Sequence, residues 1–142
     1  MKNLLLLLVG LLALAGCEKK TGEVVPKHKV SVSIQTKNAS SDYEAHMLVQ
    51  KQTNQSLTTV YSKSIRTGSD SFVHDERPVP AGTTFTAQVQ FYPVVARPGT
   101  TLSGSIEATI KVDGVVKNNV VISGITAPNS AGLRTATIST TL

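Results

Sequence analysis

From His28 onward the chain alternates between apolar and polar residues in short runs separated by turn-forming clusters. In His28–Thr36, Val30, Val32 and Ile34 share one parity and Ser31, Ser33 and Gln35 the other. Period-two alternation is the mark of a strand with one buried face. Tyr43–Lys51 repeats it, with Tyr43, Ala45, Met47 and Val49 expected inward. The clearest case is Thr83–Tyr92, where Phe85, Ala87, Val89 and Phe91 oppose Thr84, Thr86, Gln88 and Gln90. Phe85, Val89 and Phe91 are therefore the predicted centre of the core. In Thr101–Val112, Leu102, Ile106, Ala108, Ile110 and Val112 oppose Ser103, Ser105, Glu107 and Lys111. Leu57–Ile65 reads as a strand of ambiguous facing, because Val60 competes with Leu57, Tyr61 and Ile65.

The connections are equally legible. Thr53-Asn54-Gln55-Ser56 is a hairpin turn between two strand patterns. Asp113-Gly114 is a stronger one, since a type I′ turn needs positive φ at both central residues. Val115–Ile122 is expected to pair back across it. Lys37–Asp42, Thr67–Asp70 and Ser123–Gly132 read as loops or turns, as does Arg97-Pro98-Gly99, and Pro93 ends or bends the Thr83–Tyr92 strand. Ser71–His74 is predicted as a short edge strand. Asp75–Pro80 cannot lie in a central strand, because two prolines remove ladder donors. Leu133–Leu142 is a final strand, with Ala136 and Ile138 as core contacts. Seven or eight strands without a helix predict an all-β fold, a single antiparallel β-sandwich.

The first residues follow another pattern. Lys2 precedes an uncharged apolar run, Leu4–Leu14, which small residues and then Glu18, Lys19 and Lys20 close off. A membrane-spanning helix needs about 20 apolar residues, so this run has the anatomy of a signal peptide instead. Its end, Leu14-Ala15-Gly16-Cys17, resembles the lipobox of bacterial lipoproteins. The resemblance covers the first 17 residues. It implies that Cys17 carries a thioether-linked diacylglycerol, that cleavage precedes it, and that the new amine is acylated, palmitate being the expected chain. The expected organisation is a signal peptide at 1–16, a flexible tether at 17–27 and a sandwich domain at 28–142. Glu18 in place of Asp directs the expectation to the outer membrane, with the face it occupies left open. The run Val79–Val89 is similar to strand starts in immunoglobulin-like and fibronectin type III-like domains, without the Cys…Trp…Cys signature of true immunoglobulin domains.

Composition adds constraints. Ser, Thr and Val dominate after the leader, and Trp is absent. Cys17 is the sole cysteine, so once acylated it leaves no disulfide or thiolate chemistry to the domain. Fourteen basic and nine acidic residues give a net charge of +5. The basic residues are scattered rather than clustered with aromatics, which argues against nucleic-acid binding.

Candidate chemistry is thin. His74-Asp75-Glu76, with Asp70 nearby, gathers ligand-type residues, but neighbours on a strand point to opposite faces. A solvated strand end is expected there, and a surface histidine at His46 beside Asp42 and Glu44. His28 beside the tether is assigned no role. Asp113-Gly114 alone offers too few oxygens for calcium. No G-x-S-x-G elbow is present, and no catalytic residue, metal ligand or cofactor is assigned. Cys17 is the one residue given a chemical role. The outward Thr, Ser and Gln rows on the Phe85 and Ile106 strands form a polar face suited to a strand or a glycan. The chain is therefore expected to be a non-catalytic binding or structural module, held at the membrane by lipid and meeting an envelope protein or polysaccharide. The alternatives are an accessory subunit using an exposed edge strand and, more remotely, an envelope hydrolase.

Overall fold

A computed structural model describes residues 27–94 and 102–142. The leader, Cys17, the tether as far as Pro26 and the Arg97-Pro98-Gly99 loop lie outside the described residues. Eight strands follow in order: β1 (Lys27–Ala39), β2 (Tyr43–Gln52), β3 (Leu57–Ile65), β4 (Gly68–Pro80), β5 (Thr84–Pro93), β6 (Ser105–Val112), β7 (Val115–Ser123) and β8 (Arg134–Thr141). They form two four-stranded sheets, β4-β1-β6-β7 and β3-β2-β5-β8, in which every pairing is antiparallel. The fold is an antiparallel β-sandwich. Only β2–β3 and β6–β7 connect neighbours within a sheet; every other connection between consecutive strands crosses to the opposite one.

The alternation explains the two layers. Val30, Val32 and Ile34 of β1, with Ile106, Ala108 and Ile110 of β6, face Ala45, Met47 and Val49 of β2 and Phe85, Ala87, Val89 and Phe91 of β5. All are essentially inaccessible to water, and Phe85 and Phe91 are the largest fully buried side chains. Each buried Val, Ile or Phe contributes about 1.5–3 kcal/mol relative to exposure, so this layer is the main source of stability. The four central strands carry it, and Tyr43 meets Phe91 edge-on at 6.4 Å. Thr36, a buried polar residue, reaches across the interior to donate its hydroxyl to Met47 Sδ at 3.3 Å.

Several boundaries differ from the sequence expectation. β1 continues to Ala39 because Asn38 takes positive φ, which shifts the register after Thr36 and returns Ala39 to the buried side. The predicted short strand at Ser71–His74 is part of a 13-residue strand, β4, which begins at Gly68 and includes Asp75–Pro80. Pro78 falls at the register shift between His28 and Val30, and Pro80 ends the strand. Both prolines thus sit where the ladder needs no donor, on an edge strand. The ambiguity of β3 is also resolved. A bulge between Val49 and Gln50 skips Val60, pairing Val49 with Tyr61 and Gln50 with Thr59. A bulge shifts side-chain parity, so Tyr61 and Ile65 turn inward while Leu57, on the other side of it, is 63% exposed.

The Asp113-Gly114 hairpin forms as expected. Val112 pairs with Val115, and φ is positive at Asp113 (53°) and Gly114 (83°). Among the described residues no helix is long and apolar enough to cross a membrane.

Candidate functional site

Two polar regions are built by this architecture. The first lies along the open side between the edge strands β3 and β4. Phe72, His74 and Glu76 pair with Ile34, Val32 and Val30, so they share the inward parity of β1. Tyr61 and Lys63 pair with Val49 and Met47 and take the inward parity of β2. At an edge, "inward" means pointing along the rim of the core. Tyr61 stacks on Phe72 with ring centres 3.8 Å apart. Lys63 pairs with Asp70 at 2.7 Å, and the Tyr61 hydroxyl donates to the same carboxylate at 3.5 Å. Lys51 forms an ion pair with Glu76, whose second oxygen lies 3.3 Å from His74 Nε2.

The charge states follow from these contacts. Burial pushes Glu76 up, but hydrogen bonds from Lys51 and His74 outweigh it and hold the carboxyl below its ordinary range. The Lys63 ammonium, through its hydrogen bond, holds Asp70 low, and Asp70 in turn holds Lys63 above its ordinary value. Burial, then the charge of Asp70, raises Tyr61. Charges on the inward face of an edge strand deter strand addition, and these also seal the rim with an apolar stack between two ion pairs.

His74-Asp75-Glu76 therefore differs from the solvated strand end expected of it. His74 and Glu76 are only 27% and 26% exposed and turn toward Lys51, whereas Asp75 points to the opposite face. Among the described residues no group of three or more His, Cys, Asp or Glu is placed to hold a metal ion. The opposite rim is closed by Asn118 of β7, whose amide donates to Ser139 O at 2.6 Å and Thr140 Oγ1 at 2.8 Å on β8.

His28 is not idle. Its Nδ1 lies 2.7 Å from Asp113 Oδ2, and the Lys29 amide donates to Asp113 Oδ1 at 2.9 Å. Asp113 N donates back to Lys29 O at 2.8 Å. The hairpin turn is thereby pinned to the start of β1, and the His28 and Lys29 hydrogen bonds hold Asp113 below the usual carboxylate range. Sequence spacing hid this contact, because the partners are 85 residues apart.

The second region is the outer face of β3-β2-β5-β8. Register places its outward side chains in four rows of four: Leu57, Gln52, Thr84, Thr141; Thr59, Gln50, Thr86, Ser139; Ser62, Leu48, Gln88, Thr137; and Ser64, His46, Gln90, Thr135. None is Asp, Glu, Lys or Arg. The Thr84 and Thr141 hydroxyls pair at 2.8 Å, and those of Thr86 and Ser139 at 3.3 Å. Charge begins only beyond the last row, where Arg66 bonds Glu44 at 3.3 Å. There Glu44, His46, Ser64, Tyr92, Pro93 and Val94 line an open concavity of about 440 Å³. Tyr92 donates its hydroxyl to Gln90 Oε1 and stands edge-on to His46 at 6.2 Å. His46 does point outward, as its parity requires, yet it is half-buried and its Nδ1 is enclosed without a hydrogen-bond partner among the described residues.

The polar rows of the Phe85 and Ile106 strands do not form the one face expected from the sequence. They belong to different sheets and point in opposite directions, because β5 and β6 sit on either side of the core. The outer face of β6 is also unlike that of β5, since Glu107, Lys111, Lys37 and Asp75 put charge on its sheet.

No family model, curated protein or solved structure matches the chain.

Proposed function

We propose that the chain is a lipid-anchored lipoprotein of the bacterial cell envelope, a non-catalytic module that presents a β-sandwich at the membrane surface. The observation that carries the reading is Leu14-Ala15-Gly16-Cys17, preceded by an uncharged apolar run and followed at once by Glu18-Lys19-Lys20. Acylation at Cys17 would supply more than one chain, and two or more chains hold a protein stably where a single one does not. The first strand starts at Lys27. Fully extended, the ten residues from Cys17 to Pro26 would span at most about 33 Å, enough to stand the domain off the bilayer. Glu18 favours the outer membrane.

Support for a binding rather than a catalytic role comes from how the polar groups are used. The ionisable side chains of the rims are engaged with one another, Lys51 with Glu76 and Lys63 with Asp70, while the outer face of β3-β2-β5-β8 has no Asp, Glu, Lys or Arg in its four rows. The alternative of an accessory subunit that accepts a partner strand has less support. Asn118 ties the β7 edge to β8, and prolines and inward charges mark β4.

Detergent phase partitioning tests the anchor. The native chain should enter the detergent-rich phase and Cys17→Ser the aqueous phase. Retention of Cys17→Ser with the membrane would overturn the reading.

A further inference from the structure

We infer that the outer face of β3-β2-β5-β8 is a binding surface for a neutral polysaccharide, with one sugar unit seated against Tyr92. The inference rests on the reading of the chain as a binding module and names the ligand class of that module.

Thirteen of the sixteen positions in the four rows carry hydroxyls or carboxamides, the others being Leu57, Leu48 and His46, and none is Asp, Glu, Lys or Arg, on a chain with 23 such charged side chains. Anionic polymers and anionic lipid surfaces are held by Lys and Arg, and none stands in the rows. A protein interface needs a desolvated centre anchored by aromatic, Arg or large apolar residues. At the centre of this face stand Leu48, Gln88, Gln50 and Thr86, three of them amide or hydroxyl side chains. A neutral polymer of hydroxyls is what such a surface complements, through hydrogen bonds that cost no ion desolvation.

The hydroxyls of this face are pre-organised. Thr84 with Thr141, and Thr86 with Ser139, pair hydroxyl to hydroxyl across β5 and β8. Their β-branched or short side chains lose little rotamer freedom when a ligand settles. The rows advance by two residues along β2, β5 and β8, about 6.6–6.8 Å per step, with β3 taking one three-residue step at its bulge, and so form an extended track rather than a closed pocket.

A concavity lies at the end of the track. Tyr92 is partly exposed, is oriented by His46 and by its bond to Gln90, and stands beside Ser64 and the Glu44 carboxylate. An aromatic wall with a few convergent polar groups is the usual make-up of a small-molecule site, and a volume of about 440 Å³ is in that range.

The test is affinity electrophoresis of the detergent-extracted full chain through gels containing dextran, xyloglucan or galactomannan, and, for comparison, polygalacturonate or heparin. Retardation by at least one neutral polymer and by neither anionic one is expected. Tyr92→Ala should weaken it by about tenfold, the equivalent of losing one aromatic contact. Thr137→Lys, which plants a long charged side chain in an exposed row, should abolish it. Ser71→Lys, on the opposite sheet's edge, should leave it unchanged. Melting temperatures equal to the native chain's would show that the variants fold. No retardation by any neutral polymer, equal retardation by the anionic ones, or full retardation of folded Tyr92→Ala and Thr137→Lys would overturn the inference. Failure of anchoring reads out separately, in the phase partitioning of Cys17→Ser.

Discussion

At the scale of single residues, tolerance is low where backbone meets backbone. A Cβ on Gly104 would lie 2.5 Å from Asn38 O, and φ there is +111°. Gly104→Ala therefore has no relaxed conformation and should lower the urea midpoint by an amount equivalent to more than about 1 kcal/mol. Phe91→Ala empties the core beside Tyr43 and should cost about 3–5 kcal/mol in the same measurement. The Lys51–Glu76 pair makes a subtler case. Lys51→Met leaves a half-buried carboxylate with His74 as its remaining partner among the described residues, at a cost of about 1–3 kcal/mol. Lys51→Met with Glu76→Leu should recover most of that loss, since an apolar pair of similar size can replace a buried ion pair. Additive losses in the double variant would contradict this. The core residues were legible because their parity repeats within one strand. The Glu76 contact was not, because it joins β2 to β4 and depends on a strand that the sequence pattern ends too early, at His74.

At the scale of elements, bulges account for most of the distance between pattern and structure. The skipped Val60 reverses the parity of β3 midway, so no single alternation fits Leu57–Ile65. The shift at Lys29 lets β4 absorb Pro78, a residue that marks a break in any linear reading. Turn chemistry, by contrast, is local and was readable: Asp113-Gly114 forms the hairpin its φ tolerance allows. What the turn docks against is not local. Asp113→Asn keeps the turn conformation and an acceptor for the Lys29 amide but removes the charge facing His28. Hydrogen exchange of the amides of Lys29 and Asp113 should accelerate in that variant, with the β2–β5 amides unaffected. Uniform acceleration across both sheets would show that the docking supports the whole fold rather than one hairpin.

At the scale of the whole molecule, two sheets are sealed at their rims by polar contacts, and this sets the response to pH. Asp70, Glu76 and Asp113 all titrate below their ordinary values in the folded chain. A carboxyl with a depressed folded pKa stabilises the native state above its unfolded value, about 4, and that contribution disappears as pH falls through the folded value. Through these three carboxyls, melting temperatures should fall as pH drops below about 4. A melting temperature independent of pH down to 2.5 would contradict the rim contacts. Lys63→Met should blunt the fall by removing the partner of Asp70. The division into two sheets was legible only as a fold class. Assigning β5 and β6 to opposite layers needed the pairing itself, and with it the recognition that only one outer face is free of charge.

The proposed anchor depends on Cys17, and the mass of the mature chain tests it most directly. Expressed in a Gram-negative bacterium and purified in detergent, the chain should begin at Cys17, 126 residues from the C-terminal end. Its N-terminal peptide should carry the added mass of a thioether-linked diacylglycerol and an amide-linked acyl group. A mature chain that begins elsewhere, or one whose Cys17 remains a free thiol, would contradict it.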